Sequence, residues 1–442
     1  MKILLCAVLS GTLPAALAQD AVQGAAGSAT APLTVTLQDA LTRARANEPQ
    51  FRAALTESGV AHENAVQSRA ALLPGVNYNA AYLYTQGNGT NTGRFVGANG
   101  VHEYISQGTA QQSFSLQGIA EFRRARAEEA LAKAKLEIAS RGLVSTVVAA
   151  YYGSVVAQRK YATAQRATSE AERFLDITQK LEHGGEVAHS DTIKAQLQTQ
   201  QQQRTLQDAQ LEMDRSRLEL AVLIFPSFNE NFTTVDDLEN IAPLPSYEEA
   251  EKSAGEKNPQ LRVAIASLHA ANQEVAVAWN GFLPSLTLDY AYGIDANQFA
   301  VNGLEPGTQA RIRNLGYSAA ATLQLPIWSW GAGRSKVKSA QLQRDQAKLE
   351  LSFAQRKMVA DLKTFYAEAR IARSELESLR QSAELAAESQ RLTTLRYQAG
   401  EATVLEVVDA QNTLTTAQNA LGDGQIRFRV AVSNLQTLTG NF

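Results

Sequence analysis

Cysteine is nearly missing from this 442-residue chain: the single one is Cys6. It lies in an N-terminal segment that reads Met1-Lys2, an apolar run from Ile3 to Leu17, and the small-residue exit Ala16-Leu17-Ala18 before Gln19. This is the layout of a secretory signal peptide, residues 1–18, cleaved after Ala18. Cleavage leaves no thiol, which excludes disulfides and thiolate metal sites, and Cys6 has the wrong neighbours for lipid acylation. Histidine is scarce too. His62, His102, His183, His189 and His269 are scattered without ligand spacing, and no nucleophile elbow or phosphate loop appears, so the sequence offers no catalytic residue, metal or cofactor. The net charge of -3, with no polybasic arm, excludes nucleic acid as a partner. Also missing beyond the signal is any run of the ~18 to 20 apolar residues that a membrane-spanning helix needs. An exported chain of this kind enters a membrane only with strands.

Glycine and proline are absent between Gly333 and Gly400, and what stands there is helical. Leu351, Ala354, Met358, Leu362, Phe365, Ala369, Ala372, Leu376, Leu379, Ala383 and Ala386 recur in steps of three and four, which is coiled-coil spacing. At ~1.5 Å per residue the stretch spans roughly 100 Å, wider than a compact domain. After a break at Arg396 to Glu401 a second helical pattern runs back, making a long hairpin. Much of the seam is alanine, so helices approach closely but bury little area each, and more than two must share the packing.

The chain is duplicated. Glu48-Pro49-Gln50-Phe51-Arg52-Ala53-Ala54 matches Asn258-Pro259-Gln260-Leu261-Arg262-Val263-Ala264 at an offset of 210, as Leu72-Leu73-Pro74 matches Phe282-Leu283-Pro284. Gly185-Glu186 with Ala195-Gln196 matches Gly400-Glu401 with Ala410-Gln411 at 215. Repeats of this length mark one structural plan used twice. Thr36 with Asp39 and Ser246 with Glu249 are spaced as capping boxes. Pro74 and Pro284 mark helix-to-strand junctions, because the residue before a proline leaves the helical region.

Beyond these prolines the period changes to two. Leu286, Leu288, Tyr290, Tyr292 and Ile294 alternate with small or polar residues, as do Leu315, Tyr317, Ala319, Ala321, Leu323 and Leu325. Val76, Tyr78, Ala80, Tyr82 and Tyr84 repeat the pattern in the first copy, and a weaker version runs from Thr109 to Leu116. The expected strands cover about 74–85, 107–117, 284–294 and 315–326, each long enough to cross a bilayer when tilted. A Gly/Asn-rich loop from Gln86 to Ser106 separates the first pair. Tyr78, Tyr82, Tyr290 and Tyr292, with Trp328 and Trp330 past the last strand, suit a membrane-interface belt. Four strands cannot close a barrel and open edges do not persist in lipid, so chains must pool them; three give twelve strands and leave a lumen.

The expected plan is a flexible segment at 19–35, a first repeat at 36–225 with long helix 119–183 and return helix 190–223, a linker at 226–245 wrapping the outside at mid-height, and a second repeat at 246–442 with long helix 334–398 and return helix 403–438. The shorter helices are expected to stack end to end on the return helices. Gly422-Asp423-Gly424 inside the last helix predicts a kink, since each glycine weakens a helix by up to ~1 kcal/mol against alanine.

The duplicated plan and the tip sequence Tyr397-Gln398-Ala399-Gly400, followed by Val404-Leu405-Glu406-Val407-Val408-Asp409-Ala410-Gln411, resemble the TolC-like outer-membrane efflux and secretion channels over essentially the whole mature chain. The resemblance implies a mainly α fold with a β-barrel part: a homotrimer with a shared twelve-stranded barrel in outer-membrane lipid of a Gram-negative bacterium and an α-helical tunnel in the periplasm. It further implies a periplasmic adaptor and an inner-membrane pump of the RND, ABC or MFS type. On that likeness Glu406 and Asp409 form an acidic ring at the periplasmic entrance, although Glu406 also has capping-box spacing with Thr403. Tyr397, Asp191 and Ser190 stand at gate-latch positions. The family's latch arginine is Ala402 here, leaving a contact from the Tyr397 hydroxyl to a carboxylate or the backbone, helped by Arg396. Gly185, Glu186, Gly400 and Glu401 match tips that meet the adaptor, and the two glycines also suit helix C-caps. The competing reading is a periplasmic coiled-coil adaptor or scaffold with a soluble β domain.

Overall fold

The computed structural model describes residues 32–84, 102–227, 231–240, 243–304, 308 and 310–440. The expected signal peptide, and most of the loop after Tyr84, lie outside them. In the first copy a short strand β1 (Leu33–Val35) leads to α1 (Leu37–Asn47), α2 (Pro49–Ala70), β2 (Gly75–Tyr84), β3 (His102–Ser115), α3 (Leu116–His183) and α4 (His189–Ile224). After β4 (Phe232–Thr234) the second copy repeats the order as α5 (Tyr247–Lys257), α6 (Pro259–Asn280), β5 (Ser285–Ala296), a small hairpin of β6 (Asn302–Leu304) and β7 (Arg311–Arg313), β8 (Leu315–Gln324), α7 (Ala332–Gln398) and α8 (Val404–Thr439). No described helix is long and apolar enough to cross a membrane.

Local chemistry sets the helix ends. Thr36 with Asp39 and Ser246 with Glu249 form complete capping boxes. Pro49 and Pro259 open α2 and α6 at the first helical position, capped by Glu48 and Asn258, where a missing amide costs nothing. The short and return helices stack. Asn47 donates to Ile224 O at 2.8 Å at the end of α4, and the buried Asn258 donates to Leu438 O at 3.3 Å at the end of α8. Arg141 joins the second junction by donating to Lys257 O at 3.2 Å and Thr437 O at 3.1 Å, placing a cation against two helix C-termini. The 22 residues of α2 and 36 of α4 thus lie end to end beside the 68 of α3.

The sheet runs β2-β3-β5-β8, antiparallel throughout. Register decides its two faces. Val76 opposes Ala110, Ala110 opposes Tyr290, and Tyr290 opposes Ala319, so the apolar positions of all four strands share one side. The other side carries Asn77, Thr109, Ala291 and Ser318 in one row. In the same order across the helices, α2 and α4 flank α3, α3 also meets α6 and α8, and α7 closes the far side on α6 and α8. The chain is therefore an open sector, with β2, α2 and α4 along one edge and β8 and α7 along the other.

Three expectations are corrected. The end of the segment read as flexible, 33–35, is a strand: β1 pairs in parallel with β4, Leu33 opposite Phe232 and Val35 opposite Thr234, and Val35 is wholly buried. Strand β3 starts at His102 rather than near 107, because Tyr82 on β2 meets both His102, with its hydroxyl 2.7 Å from Nδ1, and the Tyr104 ring. No break appears at Gly422-Asp423-Gly424 either. Helix α8 is continuous, and a Cβ on Gly422 would stand 3.2 Å from Val156, one on Gly424 2.5 Å from Leu379. The glycines leave room for the neighbouring helices.

The largest buried cluster joins β1, α1, α3, α4 and β4 around Tyr151, Tyr152, Leu220 and Ile224. The Tyr151 hydroxyl lies 2.8 Å from Val235 O and 3.1 Å from Val35 O, and accepts from the Val235 amide at 3.1 Å. Burial pushes its pKa up to about 12. It ties the linker to the helical wall. Replacing it with phenylalanine takes the donor from Val235 O, while the Val235 amide keeps its 3.2 Å bond to Val35 O; losing the hydroxyl's bonds costs about 0.5–1.5 kcal/mol. Tyr151→Phe is expected to lower the unfolding midpoint and to speed proteolysis around 231–240; an unchanged cleavage rate would show that the linker is held by other means.

Candidate functional site: the helical tips

Both hairpin tips end their first helix in the same way. In α3 the Glu186 amide donates to Leu181 O and the Gly185 amide to Glu182 O, both at 2.9 Å, with Gly185 at φ 75°. In α7 the Glu401 amide donates to Arg396 O at 2.8 Å and the Gly400 amide to Tyr397 O at 3.0 Å, with Gly400 at φ 78°. These are Schellman caps, and their left-handed residue is best served by glycine. Gly185, Glu186, Gly400 and Glu401 are all exposed at the extremity.

The return helices start differently. Thr403 and Glu406 complete a capping box for α8: the Thr403 amide and hydroxyl reach Glu406 Oε1 at 3.2 and 3.0 Å, and the Glu406 amide returns to Thr403 Oγ1 at 3.3 Å. Helix α4 has Ala188 at its N-cap position and so no side-chain cap. A hydrogen bond between His189 Nδ1 and Glu182 Oε1, 2.7 Å, closes that tip instead. The Thr403 amide and hydroxyl, with Arg396 3.7 Å away, hold the Glu406 carboxyl below its ordinary pKa. It is an anion at neutral pH.

The two copies diverge in charge. At the offset of 215, Asp191 occupies the place of Glu406, and Lys194 that of Asp409. Lys194 pairs with Asp191 at 3.1 Å, so the first tip is neutral there. Asp409 is exposed, without an ion-pair partner among the described residues. It shares a helix face with Glu406, opposite the buried Val404, Val407 and Ala410. The acidic character is concentrated in the second copy.

The residues matched to the latch are not brought together as expected. Tyr397 is buried, its ring 5.0 Å from Phe174 and its hydroxyl donating to Thr178 Oγ1 at 3.3 Å, both on α3. Asp191 is taken by Lys194, and the exposed Ser190 beside it reaches neither. Arg396 donates to Glu401 O at 3.0 Å. Tyr397 therefore belongs to a small core with Phe174, Ala195, Val404 and Val407 that joins α3, α4, α7 and α8. Sequence reasoning missed Phe174 and Thr178. The available signal was the mismatch between copies, with Tyr397 standing where the first copy has Glu182.

At the other end, Pro74 and Pro284 mark the junctions as read. Tyr78, Tyr82, Tyr290 and Tyr292 are exposed on the apolar side of the sheet, and Trp328 and Trp330 are exposed beyond β8. Their depths differ. Tyr82 lies near the outer end with Tyr84, His102 and Tyr104, while Tyr78 and Tyr292 sit across Gly108 in one mid-strand row with Tyr317. No group of three metal-ligating side chains forms among the described residues.

Comparison with known proteins fits this geometry. The family model for outer membrane efflux proteins matches residues 40–224 and 252–441, one stretch per repeat. Outer membrane protein TolC of Escherichia coli K12 is 23% identical over 405 residues, covering 90% of this chain and 80% of that protein. Alkaline protease secretion protein AprF of Pseudomonas aeruginosa is 22% identical over 404 residues, covering 89% and 82%. The Campylobacter jejuni CmeC outer membrane channel superposes with a TM-score of 0.79 at 16% identity, covering 91% of this chain and 85% of that one, which shows the shared fold. With the family model spanning both repeats, the chain belongs to the outer membrane efflux protein family and is an outer-membrane exit duct with a large periplasmic helical part.

Proposed function

We propose that three copies close edge to edge, β8 and α7 of one against β2, α2 and α4 of the next, into a twelve-stranded barrel continued by a helical tunnel. The single observation that carries this is the open sector: a sheet with one apolar and one polar face, whose edge strands β2 and β8 are unpaired on their outer sides among the described residues. Unpaired strand edges are not tolerated in hydrocarbon. The helical edges agree, since Leu342, Leu349, Phe353 and Leu385 on α7 and Leu197 and Leu211 on α4 are exposed apolar side chains that a neighbour would cover. In this assembly the tips form the periplasmic entrance, Glu406 and Asp409 ring it with about six carboxylates, and Gly185, Glu186, Gly400 and Glu401 meet a periplasmic adaptor. The adaptor couples the duct to an inner-membrane transporter, as an efflux pump or a type I secretion system, and that transporter supplies the free energy and selects the cargo. Extraction in detergent followed by light-scattering mass measurement tests the assembly: three chains per particle are expected. A monomer stable in plain buffer would sink the trimer and favour the soluble scaffold.

A further inference from the structure

The exit-duct role leaves unused a cleft at the foot of the sheet. Trp328 and Trp330 stand in the turn between β8 and α7 and pack edge to face, ring centroids 5.8 Å apart, while remaining 76% and 89% exposed. That turn, through Pro326, Ile327, Trp328 and Ser329, lines a cavity of about 530 Å³ between α6 and α7. Val277 and Ala278 of α6, Phe282 just past its end and Ile327 of the turn make its apolar wall, and Lys336 of α7 lines it with them. Lys336 has no ion-pair partner among the described residues, nor have Arg334 and Lys338 on the same two turns. The one carboxylate lining the cleft, Glu274, is held by Arg124 at 2.9 Å. A free cation, an apolar wall and the tryptophan-bearing turn thus meet where the lipid-facing side of β8 ends at the exposed Leu323 and Leu325.

We propose that this cleft holds an anionic phospholipid of the periplasmic leaflet, its phosphate on Lys336 and the start of an acyl chain along Phe282 and Ile327. A soluble anion would leave the apolar wall unused, and an uncharged apolar ligand would leave Lys336 unused; a phospholipid has both ends. Tryptophan at the headgroup level and basic side chains beside it are the usual partners of such a molecule. The inference rests on the outer-membrane placement of the chain, and it adds a fixed lipid to the lipid-facing surface.

Delipidated channel in detergent, exposed to phosphatidylglycerol or phosphatidylcholine and read by native mass spectrometry, tests it. Wild type is expected to retain phosphatidylglycerol in preference to phosphatidylcholine. Lys336→Ala should weaken that retention about fivefold, the effect of one basic side chain near a charged headgroup. Ala278→Trp, which fills the cleft and keeps Lys336, should abolish it. Equal retention by wild type and Lys336→Ala overturns the proposal, as does displacement of the lipid by millimolar inorganic phosphate, which would mark a free-anion site. A wild-type channel that fractionates with the outer membrane yet keeps no phosphatidylglycerol sinks the cleft alone; one that fails to fractionate there sinks the placement as well.

Discussion

Tyr397→Ala is expected to loosen both helical tips together, raising single-channel conductance and exposing the 399–402 turn to proteases. The side chain is 4% exposed, and it fills a core to which four helices contribute. Truncating a buried aromatic typically costs about 3–5 kcal/mol, the loss of transfer free energy plus the cavity left behind. Few other contacts at the tips can compensate, because that core is small and its surroundings are solvated helix faces. Tyr397→Phe separates this reading from a hydroxyl latch. It removes only the 3.3 Å hydrogen bond to Thr178, worth about 0.5–1.5 kcal/mol, and keeps the ring against Phe174. If phenylalanine opens the channel as far as alanine does, the hydroxyl rather than the packed ring holds the tips, and a latch between chains returns as the better account.

The double substitution Glu406→Ala with Asp409→Ala is expected to abolish the cation preference of the channel in bilayer recordings, moving the reversal potential under a salt gradient towards zero. A ring of like charge at a narrow opening raises the local counter-ion concentration about tenfold or more. The two residues should not contribute equally. Glu406 divides its carboxylate between the Thr403 cap and Arg396, whereas Asp409 faces solvent without such partners among the described residues. Asp409→Ala alone should therefore shift selectivity more, and Glu406→Ala should fray the start of α8. Asp191→Ala is the control. With Lys194 beside it, its removal exposes a positive charge at the first tip and should reduce cation preference only modestly. Selectivity unchanged in the double variant would dispose of the acidic ring.

Much of the architecture was legible because its causes are short-range. The seam positions from Ala347 to Ala386 are buried or half-buried along α7, all three capping boxes form as spaced, and the helix ends differ from expectation by only a few residues, within ordinary fraying. The four strands of the main sheet followed from their alternation, whereas β1, β4, β6 and β7, three residues each, are too short to show a period. Where two signals competed, the local one misled. His102 and Glu103 looked like loop residues until pairing with β2 claimed them, and two glycines in α8 looked like a hinge until Val156 and Leu379 were found beside them.

The sequence by itself determined the duplication, the long hairpins, the prolines at the junctions and the two-faced strands, because each is written in neighbours or in a period of two or 3.6. Only the tertiary structure decided that Tyr397 meets Thr178, that Val35 pairs with Thr234, and that the apolar faces of four strands fall on one side. Those pairs lie about two hundred residues apart in the chain, so no periodicity links them. They exist because long helices bring remote positions to the same height, and close packing there leaves room for particular side chains alone.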